Sequence, residues 1–392
     1  MFVPAARMLC VMAGIAGVLS GTFAYGQPSG GLSPIVFGQP AALTGDAAAL
    51  GGGMRDGIRA AFAEANRTGG INGRPLQLIS RDDGYDPNRS IEATRRLLDD
   101  DKVFGIIGAV GTPTSAATQP IAAVQGVPFI GPFTGAQFLR DASNSNVVNV
   151  RASYFQETEE IVERLTRDLG ITRIAIFYQD DAYGRAGRAG VEQALARRDL
   201  HITGEGTYER NTVAVKVALL AIRRASPRAV VMIGAYKPCA EFIRLAHQLG
   251  VAAVFVNVSF VGSDALAKEL GPDGAGVVVT QVVPFPRDTS LPLVAHYQAA
   301  LVAIEPGAEP GFVSFEGYIA GRLTVLALRR LRGEPNRKAL LDIFNRETTF
   351  DLDGMVLRFG PGRNFGGDAV FVTQLRSDGE FHPILKLAVT GG

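Results

Sequence analysis

Hydrophobic residues in this chain form short runs, and a longer amphipathic stretch follows each run. The runs are rich in β-branched residues, which is typical of strands buried on both faces of a parallel sheet. In the stretch 155–169, Ile161, Leu165 and Leu169 recur four positions apart between charged residues, as in a helix with one buried face. This alternation predicts right-handed βαβ units and an α/β architecture with doubly wound parallel sheets. The predicted strand cores are 35–37, 76–79, 104–107, 127–130, 174–178, 230–233 and 254–256.

The series of strands and helices runs twice, which predicts two lobes. The extended segments 146–151 and 282–286 are where we expect the chain to change lobe. Lobe 1 is predicted to comprise residues 34–151 plus 284–367, and lobe 2 residues 152–283 plus 368–392. A cleft between two such lobes is where the carboxyl ends of parallel strands bind ligands. Late in the chain, the pattern predicts helices at 291–304 and 313–332 and strands at 355–359 and 370–375.

The first 26 residues have the features of a secretory signal peptide. Arg7 precedes an apolar stretch of eleven residues, 9–19, and Ala24-Tyr25-Gly26 supplies the small-x-small cleavage pattern. Because a membrane-spanning helix needs about 20 apolar residues, export with cleavage after Gly26 is favoured over a membrane anchor. Cleavage would remove Cys10 and leave Cys239 as the only thiol, so the mature chain could not form an internal disulfide. We expect Cys239 to be a small buried residue.

Composition and motifs exclude several classes of function. A net charge of +1 gives no electrostatic reason to expect nucleic acid as a partner. Four His, two Cys and no CxxC pair do not suggest a zinc site. P-loop, GxSxG and HExxH motifs are absent from the sequence, so we predict no catalytic residue, no metal and no cofactor. The acidic group Asp82, Asp83 and Asp86 could bind a hard metal or an amine, but Asp86 before Pro87 favours a helix N-cap.

Polar residues follow the predicted strands of the first half. Thr112 comes after a glycine-containing turn and precedes Pro113, which predicts Thr112 as the N-cap of a helix reaching Gln125. The free N–H groups in the first turn of that helix would form a seat for an anion or a carboxylate. The segment 131–136 repeats the order of strand, turn and hydroxyl with Thr134.

The second half places tyrosines at two predicted helix entrances. Tyr183 and Tyr236 each follow a buried strand, and Ser259 follows the strand that ends near residue 257. A tyrosine offers a flat apolar face and one hydroxyl, which suits the covering of a small amphipathic ligand. The alternative is that both tyrosines simply pack against the ends of their helices.

Taken in order, the motifs resemble those of the type I periplasmic binding proteins of the branched-chain amino-acid (Leu/Ile/Val) group, the extracytoplasmic receptors of ABC importers. The resemblance covers nearly the whole chain after residue 26. It rests on Leu43-Thr44-Gly45, Gly51, Ala63-Glu64-Ala65-Asn66, Gly69-Gly70-Ile71-Asn72-Gly73, Asp82-Asp83, Asp86-Pro87, Thr118-Gln119-Pro120, Gly126-Val127-Pro128 and Asp181-Ala182-Tyr183-Gly184.

The resemblance implies two doubly wound lobes, joined by a hinge of three crossings, that close on a ligand. It implies that Thr112 and the segment 133–135 hold the ligand carboxylate and that Tyr183 and Tyr236 close over it. Leu50 occupies a first-lobe position that is usually an aromatic lid. The implied ligand-binding set is Leu50, Thr112, Phe133, Thr134, Gly135, Tyr183, Tyr236 and Ser259.

Two departures from the family pattern concern the ligand. Ser259 stands where members that bind amino acids carry an acid for the α-ammonium group, and Tyr85 and Gly111 replace a cysteine pair that some members have. A carboxylate seat without an ammonium partner favours an organic or aromatic acid, or an amide. An amino acid stays open if an acid such as Asp181 takes that role.

The resemblance therefore implies a non-catalytic solute receptor in the periplasm. Its expected partners are a small-molecule ligand and the membrane permease subunits of an ABC importer, and a monomer and a weak dimer are both compatible with the sequence. The alternatives are a sensor subunit of the same fold that signals to a partner protein and, less favoured, an exported enzyme that uses the cleft.

Overall fold

The computed structural model describes residues 32–388 together with Met1, so the signal-peptide prediction lies outside the described residues. The strands are β1 (Ile35–Ala41), β2 (Leu76–Asp82), β3 (Gly105–Ile107), β4 (Phe129–Ile130), β5 (Val147–Val148), β6 (Ile174–Gln179), β7 (Glu205–Tyr208), β8 (Ala229–Ile233), β9 (Val254–Asn257), β10 (Val278–Gln281), β11 (Thr348–Asp351), β12 (Val356–Phe359), β13 (Phe371–Leu375) and β14 (Phe381–Pro383). The helices are α1 (Ala48–Arg67), α2 (Pro87–Asp99), α3 (Thr112–Val124), α4 (Tyr154–Leu169), α5 (Ala182–Ala196), α6 (Lys216–Arg224), α7 (Tyr236–Gln248), α8 (Ser263–Leu270), α9 (Pro292–Ile304), α10 (Phe312–Arg329) and α11 (Arg337–Phe344).

Two mainly parallel sheets form the centres of two lobes, which confirms the predicted fold class. The first sheet has the order β2-β1-β3-β4-β5, and all its pairs are parallel. The second sheet has the order β14-β13-β10-β9-β8-β6-β7. In it, β6 to β10 run parallel, while β13 and β14 join one edge as antiparallel strands. In both sheets the order reverses beside the first strand, which is the topology of a doubly wound sheet.

The seven predicted strand cores all lie in or overlap strands of the two sheets. The central strands are buried along their whole length, because helices cover both faces of each sheet. Helix α4 begins at a capping box formed by Ser153 and Gln156 and ends at Gly170, whose φ of 62° is left-handed. Its buried face includes Ile161 and Leu165, as the sequence periodicity predicts.

Helices α1 and α10 pack closely because glycines stand at their contact. A Cβ atom added to Gly57 would lie 1.8 Å from the carbonyl oxygen of Ser314, and one added to Gly317 would lie 2.3 Å from that of Met54. Any larger residue would therefore force the two backbones apart. This contact joins the late helix α10 to the layer that covers the first sheet.

The chain passes between the lobes after β5, after β10 and after β12. The first and third of these crossings lie side by side. The N–H of Asn149 donates to the carbonyl of Asn364 at 2.8 Å, and the N–H of Gly366 donates to the carbonyl of Asn149 at 2.9 Å. The crossings therefore form one hydrogen-bonded hinge. Within residues 32–388, no helix has the length and apolar character that spanning a bilayer requires.

Candidate functional site

Helix α3 begins at the carboxyl edge of the first sheet, and its start differs by one residue from the prediction. Gly111, with φ 105°, is the N-cap, and Thr112 is the first helical residue, so the prediction of Thr112 as N-cap is wrong. The left-handed backbone of Gly111 lets the chain turn into the helix one position earlier. Pro113 has no N–H, and the N–H of Ser115 donates to Gly111 at 3.1 Å. The seat that the first turn offers thus depends on the N–H groups of Thr112 and Thr114.

Three hydroxyl groups meet beside the start of α3. The Oγ1 atoms of Thr112 and Thr134 lie 2.7 Å apart, and Thr134 Oγ1 donates to the Tyr154 hydroxyl at 3.3 Å. All three residues are buried. We call Thr112, Thr134 and Tyr154 the hydroxyl cluster. Tyr154 is the first residue of α4, so the cluster contains groups from both sides of the first crossing.

Five buried aromatic rings surround the hydroxyl cluster. Phe260 lies at their centre, with its ring centroid 4.5 Å from that of Tyr183, 5.2 Å from that of Phe133 and 6.0 Å from that of Tyr85. Tyr154 and Tyr183 are 5.4 Å apart. Tyr85 and Phe133 follow strands of the first sheet, and Tyr183 and Phe260 follow strands of the second. The structure is therefore a closed one, in which the two lobes touch through these rings. We call Tyr85, Phe133, Tyr154, Tyr183 and Phe260 the aromatic cluster.

Gly135 is part of this arrangement because only a glycine fits there. Its carbonyl accepts the N–H of Tyr154 at 2.8 Å, and an added Cβ atom would lie 2.6 Å from the Tyr154 ring. Thus five of the predicted site residues, Thr112, Phe133, Thr134, Gly135 and Tyr183, lie together at the interface of the lobes.

Leu50 and Tyr236 meet at a second interlobe contact. The Tyr236 hydroxyl lies 3.5 Å from the N–H of Ala49, and a Cβ atom added to Gly262 would lie 2.4 Å from Leu50 Cδ2. Both side chains are buried, and a cavity of about 210 Å³ lies beside Leu50 and Gly262. Next to them, Lys237 Nζ pairs with Asp46 across the lobes at 2.8 Å.

Ser259 lies in a buried group of charges rather than facing a free acid. Glu157 accepts the N–H of Ser259 at 2.8 Å and its hydroxyl at 3.0 Å, together with the hydroxyl of Thr280 at 2.6 Å. The Arg151 guanidinium bonds to Ser259 and Glu157, and its carbon lies 5.0 Å from the Phe133 ring centroid. The Glu157 carboxylate is therefore already engaged by protein donors.

The charged group continues to helix α10. Arg151 Nη1 lies 3.5 Å from Glu316 Oε1, and both side chains are buried. Burial raises the pKa of Glu316 to about 7, with Glu157 adding to the rise and Arg151 and Arg140 opposing it. We call Arg140, Arg151, Glu157 and Glu316 the hinge ion cluster, since Arg151 follows β5 at the first crossing.

Asp181, the other candidate for an ammonium partner, is also engaged. It is the N-cap of α5, where its Oδ1 accepts the N–H of Tyr183 at 2.9 Å. Its Oδ2 accepts from Gln179 Nε2 at 2.6 Å and from Arg210 at 3.0 Å. The carboxylate thus serves the second lobe itself.

The acidic group after β2 has a structural role. Asp86 caps α2 by accepting the N–H groups of Asn88 and Arg89, with Pro87 at the first helical position, as predicted. Partial burial alone would raise the pKa of Asp82, but donors from Thr44, Leu43 and Gly84 hold that pKa at about 2. Within residues 32–388, no group of three or more His, Cys, Asp or Glu side chains could hold a metal ion.

The remaining thiol and histidines lie apart from the aromatic cluster. Cys239 is buried, as expected, and burial raises the pKa of its thiol. The sequence suggested no partners for the histidines, and two have them. His296 lies 3.1 Å from Asp353, and His382 lies 2.7 Å from Asp378, in exposed pairs.

The sequence of this chain matches the model of a protein family described as "Periplasmic binding protein" over residues 34–380. The chain belongs to this family. Among curated relatives, a Leu/Ile/Val-binding protein homolog 2 of Brucella abortus is 29% identical over 291 residues, which are 72% of this chain and 75% of the relative. A Leu/Ile/Val-binding protein homolog 7 of the same species is 28% identical over 222 residues, so this chain spans only about half (54%) of that relative's length.

Solved structures of periplasmic binding proteins have the same fold. A possible leucine/isoleucine/valine-binding protein of Rhodopirellula baltica SH 1 is 37% identical, with a TM-score of 0.87 over 92% of this chain and 98% of that one. A substrate-binding periplasmic protein of Ralstonia solanacearum is 26% identical, with a TM-score of 0.83 over 89% and 100% of the two chains. This periplasmic binding protein is thus a member of a family of extracytoplasmic ligand-binding proteins, as the motifs suggested.

Sequence reasoning missed three residues of the aromatic and hydroxyl clusters: Tyr85, Tyr154 and Phe260. Phe260 is adjacent to Ser259 directly after β9, and its position at a strand end was a usable signal. Tyr154 follows the predicted lobe crossing, where a tyrosine at a helix start resembles Tyr183 and Tyr236. Nothing in the local sequence indicates that Tyr85 turns towards the second lobe.

Proposed function

We propose that this protein is the solute receptor of an ABC importer and captures a small carboxylate-bearing solute by lobe closure. The observation that carries the proposal is the hydroxyl cluster at the start of α3, enclosed by aromatic rings from both lobes. Hydroxyls and a helix N-terminus favour a carboxylate, and the rings favour an apolar body. By this proposal the eight predicted site residues, Leu50, Thr112, Phe133, Thr134, Gly135, Tyr183, Tyr236 and Ser259, line the binding cleft.

The solute lies between the lobes and keeps them closed. Carbon atoms in contact are about 3.5–4.0 Å apart, so a solute cannot enter between rings whose centroids are 4.5–6.0 Å apart unless the lobes first separate. A ligand that contacts both lobes then shifts the equilibrium towards the closed state. The permease subunits of an importer would recognise that closed state, in the periplasm, after export through the predicted signal peptide.

The engaged state of the nearby acids supports a solute without an α-ammonium group. Both Glu157 and Asp181 already accept bonds from protein donors, and a buried ammonium without a partner is costly. An apolar or aromatic carboxylic acid therefore fits this site better than the amino acids named in the titles of the relatives.

The test uses matched solutes on the mature chain from residue 27. L-leucine and 4-methyl-2-oxopentanoate share a carbon skeleton and a carboxylate but differ in the ammonium group, and phenylacetate and 2-phenylethanol differ in the carboxylate. We expect thermal-shift measurements to show stabilisation by the oxo acid or by phenylacetate, worth about 2.7 kcal/mol at a hundredfold excess over Kd. Stabilisation by leucine alone would contradict the absence of an ammonium partner, and stabilisation by 2-phenylethanol as large as that by phenylacetate would contradict the carboxylate seat.

A further inference from the structure

Tyr85 is held in an unusual backbone conformation that turns it towards the second lobe. It lies between β2 and α2 with φ 58°, in the left-handed region that residues other than glycine rarely adopt. Its N–H donates to Asp83 Oδ1 at 2.8 Å, and Ser90 Oγ donates to the other oxygen of Asp83 at 2.8 Å. Asp83 and Ser90 are buried, so the conformation of Tyr85 is fixed from below.

Gly111 provides the space in which the Tyr85 ring lies. A Cβ atom added to Gly111 would be 2.3 Å from Tyr85 Cε2, which is closer than any real contact. The ring therefore lies against the backbone of the residue that precedes Thr112. Tyr85 and Gly111, which the sequence places where some relatives carry a cysteine pair, are thus complementary in size and in direct contact.

The Tyr85 hydroxyl reaches across the interface of the lobes. Gln179 Nε2, at the end of β6, donates to this hydroxyl at 3.2 Å. The Gln179 side chain is held in place because its oxygen accepts the Tyr208 hydroxyl at 3.0 Å. The Tyr208 hydroxyl in turn accepts the N–H of Ala235 at 3.0 Å.

The donor capacity of the Tyr85 hydroxyl is not used by Gln179, which is itself the donor in their bond. Burial raises the pKa of Tyr85 well above its ordinary value, so the hydroxyl keeps its proton. On the second lobe, Phe260 packs 6.0 Å from the Tyr85 ring centroid.

We propose that Tyr85 is an additional solute-site residue, whose ring forms one wall of the site and whose hydroxyl latches the closed lobes through Gln179. The inference rests on the proposed function, because it concerns how closure on a solute is stabilised. The two parts of the side chain act differently. The hydroxyl shifts the closed population, so its loss weakens every solute by the same factor, whereas the ring acts on the shape of the solute.

The test compares Tyr85→Phe with Tyr178→Phe by titration of phenylacetate and of 4-methyl-2-oxopentanoate. The Tyr178 hydroxyl bonds to Glu205, which lies on the same lobe, so Tyr178→Phe removes a hydroxyl without affecting an interlobe bond. Since the chain has no Trp, tyrosine fluorescence reports binding directly. We expect Tyr85→Phe to weaken both solutes equally, by about 2- to 12-fold, the effect of one neutral hydrogen bond. Tyr178→Phe should keep the wild-type affinity.

A double variant separates the latch from a general loss of packing. In a Gln179→Met background the latch is already absent, so adding Tyr85→Phe should cause no further loss of affinity. Wild-type affinity of Tyr85→Phe, unequal loss for the two solutes, or a loss that persists in the Gln179→Met background would overturn the inference while the receptor function stands. If the wild-type protein binds neither solute, the proposed carboxylate receptor fails, and the inference fails with it.

Discussion

The hydroxyl cluster has one proton more than its internal bonds use. Thr134 donates to Tyr154, so the short bond between Thr112 and Thr134 must be donated by Thr112. The Tyr154 hydroxyl therefore keeps a proton that can be donated to a solute oxygen. Arg151, which lies close enough to oppose the burial-driven rise in the pKa of Tyr154, adds positive potential at the same place.

Replacing Thr112 by Val tests this arrangement, because Val keeps the branched shape and removes the hydroxyl. We expect affinity for the bound carboxylate to fall by about 1 kcal/mol, since one member of the seat is lost. Thr118→Val is the matched control, because the Thr118 hydroxyl is buried on the same helix but donates to Thr114 at 2.9 Å within it. Calorimetry that shows equal affinity for both variants would remove Thr112 from the site.

At the residue scale the sequence indicates polar strand ends but not how they are combined. Thr112, Thr134, Tyr183 and Ser259 could be found because parallel strands end at one edge of a sheet. The engagement of Ser259 by Glu157 could not, since 102 residues separate the two in the chain and only the fold brings them together. A buried arginine such as Arg151 has no local signal either, because its counter-charges lie on other elements.

Among the elements, the hinge ion cluster joins three parts of the chain. Arg151 belongs to the first crossing, Glu157 to α4 and Glu316 to α10. Charges buried in this way are stable only when they are paired, so the cluster fixes how α4 and α10 meet at the hinge. We expect it to make stability depend on pH.

Glu316 has a pKa of about 7 in the folded protein, against an ordinary value of 4.5. The folded state therefore binds a proton that the unfolded chain releases, and this group stabilises the protein less as the pH rises from about 4.5 to about 7, by at most about 1.4 kcal/mol per pH unit. Glu316→Gln should flatten that part of the profile of unfolding free energy in urea. Glu160→Gln, which changes only a surface pair with Arg164, should leave it as in the wild type. An unchanged slope in Glu316→Gln would show that Glu316 does not titrate there.

The elements that the sequence failed to predict lie at the edges of sheets. Strands β7 and β11 alternate or mix buried and exposed positions and lack the continuous apolar runs of the central strands. The buried central strands were predicted because burial on both faces requires such runs. The antiparallel pairing of β13 with β10 depends on the third crossing, and no local pattern specifies it.

For the whole molecule, closure is visible in contacts that span the lobes at three places. These are the aromatic cluster, the pair of Lys237 with Asp46 at 2.8 Å, and the bond that Asn211 donates to the carbonyl of Gly84 at 3.1 Å. The exposed members of this set are worth little individually, so the closed state depends mainly on what lies between the rings. An open state must exist for a solute to reach the hydroxyl cluster.

Small-angle X-ray scattering of the mature protein, with and without a saturating carboxylate solute from the matched set, tests lobe closure most directly. The account predicts that the radius of gyration falls when the solute binds and that the scattering profile then agrees with the closed structure described above. A solute that binds with full occupancy while the radius of gyration stays the same would contradict capture by lobe closure.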